Sequence, residues 1–348
     1  WDNAAVLVPA FRSEVRSGPR RHLLGPSGPL SGPSGASVTR ALRRTALWLV
    51  ALALVAAGCS DSSDPAPAPA HDDVIVGSFA FAESSIVAEL YAQALEAAGF
   101  PVRRTPGLGS REVVEPALEQ GAIDVLPEYV GTALQFLGGE TAEDDDDLAD
   151  TAAATARLTE AFAFRGVTVL APAEAQDRNG IAVTRATADR YGLSKVSDLA
   201  PVAGELVFGG PPECPERPYC LVGLRTAYGL SFESFRSLDA SGPETVAALE
   251  GGEVDVALLF TTAPSLAGPK FVLLEDDRQL QPAENLVPVV RTDALRRHGD
   301  RLGEVLNAVS TQLTTADLIA LNGRVEIDGV PPADVARAWL ADHGLGPR

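Results

Sequence analysis

The sequence predicts an α/β protein built from two similar lobes, and three observations carry that expectation. One unit occurs twice: ALEQGAIDVLPEYVGT over residues 117–132 and ALEGGEVDVALLFTTA over 248–263. The shared skeleton is Ala-Leu-Glu-x-Gly-x-(Ile/Val)-Asp-Val. An aromatic follows four residues after the final Val, Tyr129 in the first copy and Phe260 in the second. Around the first copy, apolar runs of strand length alternate with stretches of helical period in the order β-α-β-α-β. That order implies a mostly parallel sheet joined by helical crossovers. Strand-like runs at 180–184 and 285–291 then carry the chain into a second lobe and back. With 348 residues, 46% of them hydrophobic, there is material for one or two substantial cores.

Each copy of the unit reads as the end of a helix, a glycine stop (Gly121, Gly252), a short apolar strand (123–126, 254–260) and a loop. Ligands of open α/β sheets bind beyond the carboxyl ends of the strands. Tyr129 and Phe260 would therefore wall a cleft from either side. Helix–glycine–strand units with core aromatics have the same pattern, and the repeat alone leaves both meanings open.

In chain order, residues 1–37 are rich in Gly, Pro, Ser and Arg with no apolar period, so no fold is expected there. The sequence contains no Met, and Val38 is the expected start. Arg40, Arg43 and Arg44 precede the apolar run 46–57, which is too short to span a bilayer and suits an export signal. Ala56-Ala57-Gly58-Cys59 resembles a lipobox, which would make Cys59 an acylated anchor; the alternative is an ordinary secretory signal with an incidental Cys. The Pro/Ala/Asp tract after it reads as a solvated tether. The expected segments are thus 1–59 (extension plus lipoprotein signal peptide), 60–73 (tether), 74–177 with 286–348 (lobe 1) and 178–285 (lobe 2).

Within the domain, 74–77 is a strand and 84–98 a helix with Ile86, Leu90, Ala94 and Leu95 on one face and Gly99 as its stop. A strand at 102–105 and a helix at 111–120 lead into the Tyr129 unit. Four adjacent carboxylates, Asp144 to Asp147, suggest calcium at first sight. Their spacing lacks the alternate ligands and central Gly of an EF-hand, and a helix N-terminus favoured by the dipole fits better. A helix over 148–164 and a strand over 167–170 follow. The second lobe opens with the strand 180–184, a short helix over 187–192, a turn-rich connection over 196–200 and a strand at 206–209. Cys214 and Cys220 then sit in a Pro-rich loop, five residues between them. In an exported protein such a pair forms a disulfide, two free thiols being the alternative. The bridge would hold Arg217 on a rigid tip. Segments 232–238 and 245–250 and the Phe260 unit complete the lobe. The strands 271–274 and 285–291 return the chain across a hinge. Helices at 301–313, from 315 (with a Thr cap) and at 331–343 (with Val335 and Trp339 inward) end it.

A net charge of −19 with no basic stripe argues against nucleic acid as a partner. It would not repel a cation. Three Cys and four His give no zinc-ribbon or iron–sulfur spacing, and no metal or cofactor is expected.

Several motifs in order resemble one family. They are Val76-Gly77-Ser78 with Glu83, ELYAQALEAAGF (89–100), PEYVGTA, the Arg217 loop, GEVDVALLFTT and ENLVPVVR. From about Val74 to Leu345 the chain resembles the glycine betaine/choline/carnitine (osmoprotectant) substrate-binding proteins of ABC-type importers. The resemblance implies a two-lobed periplasmic-binding-protein fold of the Venus-flytrap, type II-like kind, with a hinge between lobes. It implies a monomeric, extracytoplasmic solute-binding lipoprotein held at the outer face of the cytoplasmic membrane, with an ABC permease and its ATPase as partners. It also implies a quaternary ammonium ligand. Such a head donates no hydrogen bond and is held by aromatic faces through cation–π attraction, while its tail takes a guanidinium or hydroxyl donors. On this resemblance Tyr129 and Phe260 belong to the aromatic cage, Thr132 to the polar end, and Arg217 to the ligand's carboxylate, with Thr261 beside Phe260. Three positions depart: Phe79 stands where relatives carry a Lys, and Asn179 and Val246 where cage tyrosines are expected. The departures imply a ligand preference unlike that of a four-tyrosine site, with Phe79 or Phe81 supplying a replacement face.

Two other classes compete. An exported two-lobed enzyme needs a nucleophile, an acid/base pair or a metal. Lone carboxylates such as Glu83 or Glu128 and the lack of a G-x-S-x-G in the folded region give it little. A ligand-sensing domain for a small polar molecule would act through a separate receptor.

Overall fold

The computed structural model describes residues 72–138 and 146–347. The signal-like run, Cys59, the tether up to residue 71 and Asp144-Asp145 lie outside the described residues.

The chain begins with β1 (Val74–Gly77), α1 (Ala82–Ala97), β2 (Val102–Thr105), α2 (Arg111–Glu119), β3 (Val125–Tyr129), α3 (Val130–Phe136), α4 (Thr151–Ala163) and β4 (Val167–Val169). It then forms β5 (Asn179–Thr184), α5 (Arg185–Tyr191), β6 (Val207–Gly210), α6 (Gly223–Thr226), β7 (Ser234–Ser237), α7 (Pro243–Glu250), β8 (Val256–Phe260) and β9 (Phe271–Leu274). It ends with β10 (Leu286–Arg291), α8 (Thr292–His298), α9 (Asp300–Ser310), α10 (Thr315–Glu326) and α11 (Pro332–Asp342).

Two five-stranded sheets result, ordered β2-β1-β3-β10-β4 and β7-β6-β8-β5-β9. The repeated unit supplies the central strand of each, β3 and β8. The expected mostly parallel sheet is mixed in fact. β1 runs parallel to β2 and β3, and β6 to β7 and β8, whereas β10 and β5 lie antiparallel to both neighbours. The physical reason is the crossing: β5 and β10 are the strands by which the chain enters and leaves the second sheet, so each arrives from the opposite end.

Strand alternation sends side chains to two faces. In β1, Val74 and Val76 pack with α1, α9 and α11, while Ile75 faces the layer of α2, α3 and α4. In β5, Ile181 and Val183 face one core and Ala182 the other. Each sheet is thus covered on both faces, as parallel strand sets require.

Three local differences matter for the site. β3 runs on to Tyr129, so Tyr129 is the last strand residue rather than a residue beyond the strand, while β8 ends on Phe260 as the repeat predicts. The expected loop after Tyr129 is the helix α3. Its Gly131 lies so close to the segment before β10 that a Cβ there would stand 2.4 Å from Pro282 Cγ and 2.8 Å from the Ala283 carbonyl oxygen. The helix expected from 148 starts at Thr151, because Asp150 caps it by accepting from the Ala153 N–H at 2.9 Å. Gly121 and Gly252 stop their helices at φ +82° and +71°, as the repeat predicts.

Candidate functional site

The carboxyl ends of β1, β3, β6 and β8 converge on one cleft of about 350 Å³. That size suits a small ligand. Phe79 and Phe81 come from the turn after β1, Tyr129 from the end of β3 and Phe260 from the end of β8. Asn179 opens β5, and Arg217 and Tyr219 come from the loop after β6. Arg111, Thr132, Asp177 and Glu284 also line it.

The aromatic wall is continuous. Phe79 stacks on Phe81 at 5.8 Å between ring centroids, Phe81 lies 6.0 Å from Tyr129, and Phe81 meets Phe260 edge-on at 5.3 Å. Tyr129 and Phe260, expected to face each other across a ligand, both pack against Phe81.

A buried polar floor holds this wall. The Tyr129 hydroxyl donates to Glu83 Oε1 at 2.7 Å. Burial raises the Tyr129 pKa well above its ordinary value, and the neighbouring Glu83 adds to this. Glu83 Oε2 accepts from the Thr262 hydroxyl at 2.6 Å and the Asn322 amide at 2.8 Å. Burial raises the Glu83 pKa while these donors oppose it. Asp177 Oδ1 accepts from the Thr261 hydroxyl at 3.2 Å and the Thr262 N–H at 3.1 Å. Burial, then the nearby Glu83, pushes Asp177 well above the usual carboxylate range.

At the other end, Arg111 forks onto Glu128 at 2.7 and 2.8 Å and donates to the Thr132 hydroxyl at 3.1 Å. Its guanidinium lies over the Phe79 ring, 5.2 Å from the centroid. Burial works against the Arg111 charge, yet the Glu128 carboxylate outweighs it and holds the pKa above its ordinary value. The Thr132 N–H donates to Glu284 Oε1 at 2.9 Å. Burial pushes Glu284 up to about 8.

Of the sequence-predicted residues, Tyr129, Thr132, Phe260, Arg217, Asn179 and Phe79 meet at this cleft. Thr261 does not. It lines a separate cavity behind β5, and its hydroxyl accepts from the Arg178 N–H and donates to Asp177. Strand alternation explains this: the residue after Phe260 turns to the other side. Val246 packs against the core beneath α7, away from the cleft. Asn179 pairs with Phe260 across the β5–β8 ladder and donates to the Tyr219 carbonyl at 3.3 Å. Arg217 pairs with Glu112 across the cleft mouth and lies 5.3 Å from the Phe136 ring centroid. Cys214 and Cys220 are bonded, with their Cα atoms 5.3 Å apart.

Sequence reasoning missed Tyr219, Arg111, Asp177 and Glu284. An aromatic between two cysteines, two residues from Arg217, was a usable signal for Tyr219. For the others, contacts between distant segments are the only signal. Among the described residues no group of three or more His, Cys, Asp or Glu is arranged to hold a metal ion.

The profile of the family described as the substrate binding domain of the ABC-type glycine betaine transport system matches residues 72–342. The chain belongs to this family. A glycine-betaine-binding protein of Pseudomonas aeruginosa is 31% identical to this glycine betaine-system domain over 281 residues, 78% of this chain and 88% of that protein. The glycine betaine-binding protein YehZ of Escherichia coli is 26% identical over 309 residues, 86% of this chain and 97% of that protein. Among solved structures, apo YehZ from Escherichia coli matches with a TM-score of 0.56 at 26% identity, covering 79% of this chain and all of that one. A structure of a glycine betaine/carnitine/choline ABC transporter reaches a TM-score of 0.62 at 24% identity, covering 78% of this chain and 99% of that one. This last likeness speaks to the fold alone.

Proposed function

We propose that this chain is the substrate-binding component of an ABC importer and that its cleft takes glycine betaine, choline or a similar quaternary ammonium osmoprotectant. The observation that carries the ligand class is the continuous wall of Phe79, Phe81, Tyr129 and Phe260. A trimethylammonium head gains from ring faces and asks for no hydrogen bond. Arg217 is the donor for a carboxylate tail. Its partner Glu112 is half exposed, so their ion pair is weak and open to exchange for the ligand's carboxylate. Arg111 is held by the fully buried Glu128 and is not released so easily.

The ligand is handed to a membrane permease with its ATPase, and a lipid on Cys59 keeps the protein at the outer face of the cytoplasmic membrane. The motif before Cys59 supports the anchor, and Cys59→Ala should release the protein from the membrane fraction; retention there would remove the anchor from this reading.

Calorimetry with choline, glycine betaine, carnitine and the neutral choline isostere 3,3-dimethylbutan-1-ol tests the ligand class. A desolvated cation–π contact is worth about 2 kcal/mol, so Tyr129→Ala should weaken cation binding by more than about tenfold. Equal binding of the neutral isostere and choline, or no effect of Tyr129→Ala, would overturn the cage.

A further inference from the structure

Glu83 accepts three hydrogen bonds near the cleft, yet it does not line the main cavity. It sits in the first turn of α1 and is 3% exposed. Its three donors come from three separate parts of the chain: Tyr129 at the end of β3, Thr262 just past β8, and Asn322 on α10. Asn322 also donates to the Thr262 carbonyl at 3.3 Å, and the Thr262 N–H is held by Asp177. Thr262 is therefore gripped at its hydroxyl, its N–H and its carbonyl. It stands two residues from Phe260, so the grip fixes where the second sheet presents that ring. The same carboxylate fixes the hydroxyl of Tyr129 on the first sheet.

We propose that Glu83 is a positioning residue of the ligand site: it locks the Tyr129 ring, ties the Phe260 strand end to it across the two sheets, and through its negative charge makes the Tyr129 face a stronger partner for a cation. The inference rests on the quaternary ammonium reading above. Two physical effects combine. A phenol donating to a carboxylate is polarised toward phenolate, which enriches the ring face that a cation meets. The placing of Tyr129 relative to the Phe260 strand end is also tied to a single group, so the site is preorganised. A purely structural role for Glu83 predicts the second effect's stability but not the first effect's selectivity for charge.

A double-mutant cycle separates these roles. Wild type, Glu83→Gln, Tyr129→Phe and the double variant are titrated with choline and with 3,3-dimethylbutan-1-ol, and the melting temperature of each is recorded. Glu83→Gln keeps the shape and removes the charge. It should weaken choline binding by about tenfold, within the range of a single desolvated cation–π contact, while the neutral isostere changes by less than about twofold. Tyr129→Phe should act in the same direction. The double variant should be no weaker than the weaker single variant, because both cut one coupling. Equal losses for choline and the isostere, or strictly additive losses in the double variant, would overturn the proposal, as would a lowered melting temperature with choline affinity unchanged. If Glu83→Gln does not fold, Tyr129→Phe decides alone. It keeps the ring and removes the donor, and unchanged preference for choline over the isostere would refute the coupling. A wild-type protein that binds none of choline, glycine betaine and carnitine would fail the functional reading first, before any variant is compared, and would take this inference with it.

Discussion

At the scale of single residues, Tyr129 and Arg217 show two ways of holding a charge partner. Tyr129 is bound from behind by a fully buried carboxylate, and its ring is left to the cleft. Arg217 is bound by a surface carboxylate that solvent already weakens. Arg217→Ala should therefore lower affinity for glycine betaine and carnitine more than for choline, which has no carboxylate to lose. Parallel titrations of the three read this directly, and equal losses for all would assign Arg217 to the mouth of the cleft alone. Tyr129 and Phe260 were legible because the same unit places an aromatic at the same offset twice. The Glu83 network was not. Its contacts join residues 46, 179 and 239 positions apart, and no local pattern in a sequence marks such a meeting. Thr261 shows the opposite failure, a polar residue in a suggestive place that alternation sends to the wrong side.

At the scale of elements, the repeat was read correctly as helix, glycine, strand, but its boundaries moved. β3 runs on to Tyr129 because its register with β10 continues as far as Leu286 opposite Tyr129, and α3 follows where a loop was expected. The antiparallel placing of β5 and β10 was beyond reach for the same reason: strand direction depends on where the chain has been, not on the strand's own residues. The segment after β6 consists of short helical turns, Cys214–Glu216 and Pro218–Val222, with non-helical backbone at Tyr219 and Cys220, and the disulfide ties these turns together around Arg217 and Tyr219. Cys214→Ala with Cys220→Ala should cost about 2 kcal/mol of stability through loop entropy. It should also weaken betaine binding through loss of loop order. Urea unfolding and calorimetry on the double variant check the two parts. Unchanged affinity with reduced stability would confine the bridge to folding.

At the scale of the whole molecule, an acidic protein buries several carboxylates at a cost that depends on pH. Burial and the neighbouring Glu128 push Glu115 up to about 9, and burial pushes Glu284 up to about 8. Both values lie above those of the unfolded chain. The folded state therefore holds more protons than the unfolded state between about pH 4.5 and these limits, and stability falls as pH rises through that window. Glu115→Gln removes the larger of the two titrations. It should flatten the fall in melting temperature between pH 5 and pH 9, with its gain growing toward the alkaline end. A variant whose pH profile parallels that of wild type would show that Glu115 titrates normally.

The placing of β10 also orders the assembly of the protein in time. The strand fills the gap between β3 and β4 in the first sheet, yet it follows all five strands of the second sheet in the chain. As the chain emerges from synthesis, β4 has no neighbour and β3 has an open edge until residues 286–291 arrive. An open apolar edge is a template for pairing with other chains. The second sheet needs only a contiguous run from β5 to β9 and can close while the first is still waiting. The sheet whose strands come first in the chain is thus the last to be finished, its central seam open until β10 arrives.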